Sequence, residues 1–374
     1  MCAGWAKKRM KTTSQGSPLN SVDLVATDTN RQMVILTDGH SNPLTAKTAC
    51  SVLRYCEREV IAVLDKAASG QTAEQLLGTG GNTPVIADLD SASNAKTLLI
   101  GIAPPGGKIP EHWRPIVMDA IARGMNVVSG LHEFLAQDPD FTAAAASSGT
   151  ELIDVRNNNE HDVANRHGIR PDCLRILTIG QDCCVGKMVT SIELTRDLIA
   201  RQNRAKFIAT GQTGIMISGD GCPIDCVVSD FISGAVEKQI LAGQDHDILC
   251  IEGQGSLAHP RYSAVTLGLL HGSMPHGMVL CYEAGRKAVH GMPDIGLTSL
   301  AVLKDAYESA ANLMMPSQVI GIAMNSRLLS AEAAEEERNR IRKEFELPVC
   351  DVFRHGPAEL SEAVLQLKQK IQNR

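Results

Sequence analysis

Short apolar runs alternate with longer amphipathic segments along the chain from residue 33 onward. Runs that predict buried strands in the first half are MVILTD (33–38), VIAVLD (60–65), TLLIGIA (97–103) and NVVSG (126–130), with PVIADL (84–89) as a further candidate. Helices are predicted between them at 45–57 and 112–124. This alternation is typical of a parallel sheet with helices on its faces.

A second series of the same kind follows RNNNEHDVANRHGIRPD (156–172), a polar stretch that predicts a linker. Its strands are predicted at CLRILTIG (173–180), AKFIATG (205–211), DILCIEGQG (247–255), GMVLCYEAG (277–285) and QVIGIAMNS (318–326). The charged segment 330–345 predicts a helix with a solvated face. The chain is therefore predicted to have a disordered lead-in at 1–30 and two α/β domains, at 31–160 and 170–374. The first is Rossmann-like in its rhythm, although HSNPLT follows Gly39 where a G-x-G-x-x-G turn would continue.

Composition narrows the classes of function. The chain has 374 residues, of which 44% are hydrophobic, and a formal net charge of -6. A mildly acidic chain without a basic stripe is not expected to bind nucleic acid, and the sequence has no run of about 18 apolar residues that would predict a membrane span. The first residues carry charge but no apolar signal-peptide core. Eleven cysteines are scattered without a CxxC pair, which predicts reduced thiols in a cytoplasmic protein and no metal site.

The segment IGQDCCVGKMVTS (179–191) joins a predicted strand to a predicted helix, as a phosphate-binding loop does. Five residues separate Gly180 from Gly186, and Lys187 follows directly. Glycines let the backbone wrap around phosphate oxygens, while backbone N–H groups, the helix N-terminus and the lysine supply positive charge. We predict that Gly180, Asp182, Gly186, Lys187 and Thr190 bind phosphates, and that the second domain is P-loop NTPase-like with a mainly parallel sheet.

Met188 occupies the position where the loops of ATP and GTP enzymes carry a Ser or Thr. That hydroxyl binds the Mg²⁺ ion that neutralises charge during phosphoryl transfer, and a thioether does not replace it. Thr190 lies two positions further on and is an imperfect substitute. A ligand whose phosphates are bound but not cleaved tolerates Met188. Coenzyme A is such a ligand, because its phosphates lie far from its thioester.

Charged and hydroxyl side chains follow the other predicted strands of the second domain, and parallel strand ends share the edge where ligands bind. Glu252 follows an apolar strand, where a carboxylate is costly unless it is used or solvated. The Gly-rich segment 210–237 predicts a ligand-enclosing loop. The candidate residues on these segments are Asp220, Glu252, His259, Arg261, Tyr262 and Arg286. Structural alternatives stay open, since His259 could be a buried histidine with satisfied hydrogen bonds and Arg286 could simply pair with Glu283.

The strings GQDCCVGKM, TGQTGIMISGDG, IEGQGSLAHPRYSAVTLGLLHGSMP and YEAGR together resemble the D-glutamate N-acetyltransferase family, over about residues 33 to 356. The resemblance implies transfer of the acetyl group of acetyl-CoA, a co-substrate, to the amine of the small-molecule substrate D-glutamate. A dicarboxylate substrate calls for guanidinium groups, and Arg261 and Arg286 are the candidates. The loop is also similar to that of dethiobiotin synthetase, an ATP enzyme with Thr after the lysine. IAMNS resembles the base-reading strand end of such enzymes, which implies that Asn325 lies near an adenine.

Acetyl transfer needs a base that takes a proton from the substrate ammonium. Glu252 or His259 could do this, with Asp220 as an outside candidate. It also needs a donor to the tetrahedral oxyanion, for which the backbone N–H groups of GQGS or the Tyr262 hydroxyl are candidates. The sequence does not choose between them.

Two other classes of function remain open at this point. An ATP- and Mg²⁺-dependent ligase or kinase similar to dethiobiotin synthetase, with Glu252 and Asp220 holding Mg²⁺, predicts metal dependence and phosphate release. A non-catalytic nucleotide-sensing module predicts tight nucleotide binding without turnover. A symmetric homo-oligomer is the default expectation for any of them.

Overall fold

The computed structural model describes residues 31–43, 45–104 and 106–373, so the lead-in predicted at 1–30 lies outside the described residues. The described chain forms two compact units, one made of residues 31–158 and 215–219 and the other of residues 159–214 and 220–373. The division after residue 158 falls within the polar stretch that predicts a linker. The predicted domain boundaries at 160 and 170 stay predictions. The two six-stranded parallel sheets confirm the predicted α/β class.

The first unit contains a six-stranded parallel sheet in the order β3-β2-β1-β4-β5-β6. Its strands are β1 (Met33–Leu36), β2 (Val60–Leu64), β3 (Val85–Ile86), β4 (Thr97–Ile100), β5 (Asn126–Ser129) and β6 (Leu152–Asp154). Its α-helices are α1 (Lys47–Tyr55), α2 (Ala73–Leu77), α3 (Arg114–Ala122) and α4 (Pro139–Ser148). The sequence pattern does not predict β6 or α4, because the strand has only 3 residues and the helix is mostly Ala, Ser and Thr without an apolar stripe.

The strand order of the first unit reverses at β1, which lies between β2 and β4. Open parallel sheets bind ligands at such a point, often with a phosphate at the N-terminus of the following helix. Here the Ala49 amide of α1 donates to the carbonyl of Gly101 at 2.9 Å. The Asp65 carboxylate, which follows β2, accepts from the amides of Ala67 and Ala68 at 3.1 and 3.2 Å. Hydrogen bonds within the chain therefore occupy a helix amide and a carboxylate of the kind that bind a dinucleotide in such sheets, in agreement with the missing glycine fingerprint.

The second unit contains a six-stranded parallel sheet in the order β14-β13-β10-β7-β9-β8. Its strands are β7 (Leu174–Gly180), β8 (Ala205–Ile208), β9 (Ile248–Ile251), β10 (Gly277–Glu283), β13 (Gln318–Asn325) and β14 (Val349–Cys350), and β11 (Ala288–Val289) pairs antiparallel with β12 (Met292–Gly296). Its helices are α5 (Lys187–Ala200), α6 (Gln212–Ser218, shared with the first unit), α7 (Ile232–Gly243), α8 (Ser263–Ser273), α9 (Leu300–Asn312), α10 (Ala331–Phe345) and α11 (Ala358–Gln372). The prediction of a loop throughout 210–237 is wrong, because α6 and the start of α7 lie within it.

Strand β7 is buried along its whole length, and its side chains alternate between two apolar cores. Leu177 and Ile179 pack in the core that includes side chains of α7, α8 and α9. Leu174 and Ile176 pack in the core that includes side chains of α5 and α11. The phosphate-binding segment therefore follows a strand that is fixed on both faces. Within the described residues, no helix has the length and apolarity that crossing a membrane requires.

Candidate functional site

The predicted phosphate loop lies between β7 and α5. Gly180 ends β7, and Gly186 precedes α5 with φ of +105°, a backbone conformation that favours glycine. Lys187 is only 7% exposed, and its Nζ donates to the carbonyl of Asp182 at 2.7 Å. A Cβ at Gly180 would lie 2.9 Å from this Nζ. The loop therefore wraps around its lysine, and glycine at 180 leaves room for the ammonium group.

Thr190 does not replace the hydroxyl that is missing at Met188. Its side chain is buried on α5, and its Oγ1 accepts a hydrogen bond from the Cys281 thiol of β10, with Sγ and Oγ1 3.7 Å apart. The hydroxyl thus faces a neighbouring strand. The position after Lys187 offers a Mg²⁺ ion no oxygen ligand from its side chain.

Asp182 is the best-connected residue of the loop and is 1% exposed. Its Oδ1 accepts from the Cys183 amide at 2.7 Å, and its Oδ2 accepts from Arg286 Nη1 at 2.8 Å and from the His290 amide at 2.7 Å. Arg286 also donates through Nε to Glu283 at 2.6 Å. Burial alone would lower the pKa of Arg286, but the hydrogen bonds to Asp182 and Glu283 outweigh it and raise the pKa above its ordinary value. Arg286 therefore balances the negative charges of Asp182 and Glu283 within the protein.

The turn of the hairpin of β11 and β12 contacts the phosphate loop through His290. It follows β10, which lies on one side of β7, whereas His259 belongs to the segment after β9, on the other side. Asp182 holds the amide of His290 in this hairpin, and the carbonyl of His290 accepts from His259 Nε2 at 3.3 Å. Hydrogen bonds therefore connect the hairpin to the segments that follow β7 and β9, in addition to its chain connection to β10.

Replacing Asp182 with Asn is expected to lower the free energy of unfolding by about 3 kcal/mol, because the amide cannot accept from all three donors or balance the charge of Arg286. Urea denaturation would measure this loss. The matched control is Asp172→Asn, which removes a carboxylate that is 66% exposed and pairs with Arg170 at the surface. The control should leave the free energy of unfolding nearly unchanged, because water screens an ion pair at the surface. Equal effects of the two substitutions would contradict the fastening role of Asp182.

His259 is 1% exposed, and its hydrogen bonds fix its tautomer. Its Nδ1 accepts from the amide of Arg261 at 3.1 Å, so the ring proton resides on Nε2. The protonated Nε2 faces the carbonyl of His290 and, at 3.7 Å, Oδ1 of Asp182. A neutral imidazole has one acceptor nitrogen, and the Arg261 amide occupies it. Neither nitrogen of His259 is free to take a proton from a substrate.

Asp182, Cys183 and His259 form the one group of metal-ligating residue types that the described residues bring together, with ligand atoms within 4.8 Å of one another. A histidine that binds metal through Nε2 carries its proton on Nδ1. At His259 that position faces a donating amide, and Asp182 is engaged by Arg286. The hydrogen bonds therefore oppose metal binding at this cluster.

Glu252 lies directly after β9, next to the phosphate loop, and is 4% exposed. Its Oε2 accepts from the amides of Thr210 and Gly211 at 3.0 and 3.2 Å, and its Oε1 accepts from Gln254 Nε2 at 3.2 Å. Burial raises the pKa of Glu252 to about 7, although these hydrogen bonds favour the charged form. A carboxyl group with this pKa exchanges a proton near neutral pH, as a general base requires.

Arg261 and Tyr262 are exposed side chains near the hairpin. The guanidinium of Arg261 forms no ion pair with any residue of the described chain, and its Nη1 lies 3.4 Å from the position that a Cβ at Gly291 would take. Tyr262 is 43% exposed, and its ring packs against that of His259 at an interplanar angle of 37°, with ring centroids 4.6 Å apart. Both side chains are accessible to a ligand.

Two predicted residues stand apart from this cluster. Asp220 is more than half exposed and pairs with Lys206 at 3.5 Å. Asn325 ends β13 opposite Glu283 of β10, and its Oδ1 accepts from the amide of Arg327 at 3.2 Å. Asp220 therefore carries an ion pair on a largely exposed side chain, and Asn325 lies on the β13 side of the phosphate loop.

Two residues that support the site, Tyr307 and Ser256, are not predicted from the sequence. The Tyr307 hydroxyl, in the middle of α9, donates to the carbonyl of Gly180 at 3.0 Å and accepts from the Leu257 amide at 3.1 Å. The Ser256 hydroxyl donates to the carbonyl of Gln181 at 3.0 Å. These hydrogen bonds connect the phosphate loop to residues 256–257, in the segment after Glu252. Ser256 lies in the GQGS string and could have been found there, but Tyr307 is distant in sequence and carries no local signal.

Comparisons with known proteins agree with this architecture. One family model, described as "Domain of unknown function (DUF1611_C) P-loop domain", matches residues 162–361, and another, described as "Domain of unknown function (DUF1611_N) Rossmann-like domain", matches residues 66–158. A crystal structure of a DUF1611 family protein from Anabaena variabilis superposes with a TM-score of 0.85 at 38% sequence identity, covering 90% of this chain and 99% of that chain.

Two curated relatives carry the name D-glutamate N-acetyltransferase. The chain is 38% identical over 294 residues to the protein from Tritonibacter scottomollicae, which covers 77% of this chain and 88% of the relative. It is 39% identical over 263 residues to the protein from a Pseudoalteromonas species, which covers 70% of this chain and 79% of the relative. The resemblance inferred from the sequence is thereby confirmed. The chain belongs to the DUF1611 family, in which a Rossmann-like domain is combined with a P-loop domain.

Proposed function

We propose that the protein transfers the acetyl group of acetyl-CoA to the amine of D-glutamate and gives N-acetyl-D-glutamate. The names of the two relatives support this activity. The observation that carries it is the buried Glu252 carboxyl, whose pKa is raised to about 7 by burial, beside a phosphate loop without a hydroxyl for Mg²⁺. A base poised near neutral pH and a loop that binds phosphates without cleaving them suit acyl transfer from a phosphate-bearing donor.

In this proposal the phosphate loop binds the phosphates of acetyl-CoA. Lys187 and the N-terminus of α5 supply positive charge, and Gly180 and Gly186 permit close approach of the backbone. Asp182 holds the hairpin in place and does not bind the phosphates, since its oxygens already accept hydrogen bonds from other residues of the protein. Thr190 supports α5 against β10. Asn325 is the proposed contact for the adenine.

Glu252 is the proposed general base. Its carboxylate takes one proton from the substrate ammonium, and the neutral amine then attacks the thioester carbonyl carbon. The C–N bond forms, the tetrahedral intermediate collapses, and the C–S bond breaks. The second proton leaves the nitrogen with the departing thiolate, so the products are the amide and coenzyme A in its thiol form, while Glu252 returns its proton to solvent. The engaged nitrogens of His259 assign it a positioning role, and the solvated Asp220 is the weaker candidate for the base.

The oxyanion of the intermediate needs a nearby donor. In the GQGS string the amide of Gly253 already donates to Thr178 Oγ1 at 3.0 Å. The other amides of this string and the Tyr262 hydroxyl, on an exposed side chain beside His259, are the remaining candidates.

Arg261 is the proposed partner of a substrate carboxylate, because its guanidinium is exposed whereas that of Arg286 is held by Asp182 and Glu283. Replacing Arg261 with Ala is expected to raise the KM for D-glutamate by about 10-fold or more, since a hydrogen-bonded ion pair to the substrate is lost. The KM for acetyl-CoA should stay within about 2-fold. Steady-state kinetics with each substrate varied in turn would measure both, and an equal rise in the two constants would contradict this role.

The rival activity, an ATP- and Mg²⁺-dependent ligase or kinase, makes a different demand on the same loop. Isothermal titration calorimetry with coenzyme A, and separately with ATP and Mg²⁺, distinguishes the two. We expect coenzyme A to bind and ATP with Mg²⁺ to bind more weakly, without phosphate release. Tighter binding of ATP accompanied by its hydrolysis would replace the acetyltransferase proposal with the ligase or kinase.

We further propose that the enzyme acts on a small amino acid in the cytoplasm and forms a symmetric homo-oligomer.

A further inference from the structure

Gln212 has a buried acceptor without a donor. It is the first residue of α6 and is 6% exposed. Its Oε1 atom is buried and has no hydrogen-bond partner among the residues that the structure describes. Buried polar atoms are paired in the great majority of cases, and an exception near a functional group points to a missing donor. The site therefore contains an acceptor that the protein itself leaves open.

Gln212 directly follows two residues that contact the Glu252 carboxylate. The two residues that precede Gln212 donate their amides to Glu252 Oε2. A Cβ added at Gly214, two residues further on, would lie 2.3 Å from the same Oε2. The first turn of α6 is thus packed directly against the carboxylate, and Gln212 belongs to that turn.

The hydrogen bonds of Glu252 leave one acceptor position of its carboxylate unoccupied. An ionised carboxylate offers about four acceptor positions. Two amides occupy those of Oε2, and Gln254 Nε2 occupies one on Oε1, so one position on Oε1 remains. Gln254 Nε2 also donates to Thr210 Oγ1 at 3.3 Å, which uses its second hydrogen. An incoming donor therefore meets Oε1 of Glu252.

We propose that Gln212 is a binding residue for the acceptor amine, and that its Oε1 accepts one N–H of the substrate while Oε1 of Glu252 accepts another. This inference rests on the proposed acetyltransferase function and extends it to the class of acceptor. A primary ammonium has three hydrogens, so it satisfies both acceptors and keeps its third N–H bond directed elsewhere. After Glu252 takes its proton, the remaining bond to Gln212 orients the lone pair of the nitrogen for attack on the thioester.

The inference predicts selectivity for primary amines. A secondary amine such as N-methyl-D-glutamate carries one hydrogen fewer when protonated, and its methyl group competes for the space between the two acceptors. We expect it to be acetylated at least about 10-fold less efficiently than D-glutamate, measured as kcat/KM by mass detection of the product, because the added methyl group must be accommodated against the buried acceptors.

The direct test replaces Gln212 with Met, which has a similar length but no amide oxygen. We expect the KM for D-glutamate to rise about 10- to 100-fold while the KM for acetyl-CoA is unchanged. The melting temperature should not fall, because the substitution removes an unpaired buried acceptor rather than a bond. Gln212→Glu is the second variant and should retain more affinity for the amine than Gln212→Met, since its carboxylate is also an acceptor.

The outcomes separate this inference from the proposed function. If the unmodified protein acetylates D-glutamate and Gln212→Met leaves both KM values unchanged, the assignment of Gln212 is overturned and the proposed function stands. A fall in melting temperature with equal rises in both KM values would show a purely structural role for Gln212 and would also overturn the assignment. If the unmodified protein forms no acetylated amine, the proposed function fails first.

Discussion

Replacing Glu252 with Gln is expected to lower kcat by about 1000-fold, because the amide cannot take the proton of the substrate ammonium. The KM for acetyl-CoA should change little, since Glu252 lies beside the phosphate loop and not within it. The residual rate should lose its dependence on pH near 7, where the carboxyl group of Glu252 titrates. Steady-state rates between pH 6 and pH 9, by mass detection of the product, would measure both effects.

The same substitution is expected to stabilise the protein at alkaline pH. Burial raises the folded-state pKa of Glu252 from the ordinary value of 4.5 to about 7. Between these values the unfolded chain has released the proton and the folded chain retains it, so the free energy of unfolding falls as the pH rises. The loss is nearly complete one pH unit above this pKa and amounts to about 3 kcal/mol. Glutamine carries no charge, so Glu252→Gln should exceed the unmodified protein in stability at pH 8, and the gain should vanish toward pH 4.5.

The matched control is Glu237→Gln. Glu237 is also buried, at 3% exposure, and its carboxylate accepts two backbone amides, those of Asn165 and Arg166 at 3.0 and 2.9 Å, away from the phosphate loop. This variant should keep a kcat close to that of the unmodified protein. A Glu252→Gln variant with full kcat would contradict the assignment of the base, and one that is less stable at pH 8 than the unmodified protein would contradict the raised pKa.

Replacing Gly253 with Ala is expected to disrupt the site and the fold around it. A Cβ at this position would lie 1.7 Å from the carbonyl oxygen of Thr178 in β7 and 3.0 Å from Cδ of Lys187. The backbone oxygen cannot turn aside as a side chain would, so β7 and the segment after β9 must separate. Forced overpacking of this kind typically costs about 1–3 kcal/mol and occasionally more, and here it also displaces the lysine of the phosphate loop.

We expect Gly253→Ala to accumulate poorly as a folded protein or to melt at least about 5 °C lower, with coenzyme A binding lost. Thermal denaturation and calorimetry would measure these effects. Gly296→Ala in β12 is the control, because an added Cβ there meets no atom within 4 Å. A Gly253→Ala variant as stable as the control would mean that the close approach of the two strands is not required.

The sequence predicts the strands well where they are apolar along their whole length. β1, β2, β4 and β5 and the central strands of the second unit follow runs such as VIAVL and GMVLCYE, which are buried on both faces of their sheets. β6, β14 and the hairpin of β11 and β12 have 2–5 residues each and carry no such run. The sequence does not predict the helix α6, because TGQTG is rich in glycine and hydroxyl side chains and has a weak helix propensity. The amides of Thr210 and Gly211, which precede the helix, donate to Glu252 and hold its start in place.

The sequence identifies the residues of the candidate site better than their partners. The strand–loop–helix context predicts Lys187 and Gly186 in the phosphate loop, and a charge after an apolar strand points to Glu252. No local pattern shows that Asp182 binds the amide of His290, 108 positions further along the chain. Similarly, the tautomer of His259 depends on a backbone amide two residues later and is visible only in the folded geometry.

The most direct test of the proposed activity is a product-mass assay with purified protein, acetyl-CoA and either D-glutamate or L-glutamate, in the presence of a chelator and without ATP. Mass detection is needed, because the chain has eleven cysteines that would react with a thiol reagent. We predict that N-acetylglutamate forms from the D isomer, that the chelator does not slow it, and that the L isomer is a poor substrate. Absence of acetylated product from the D isomer, or a strict requirement for ATP and Mg²⁺, would contradict the assignment of this protein as an acetyltransferase of D-glutamate.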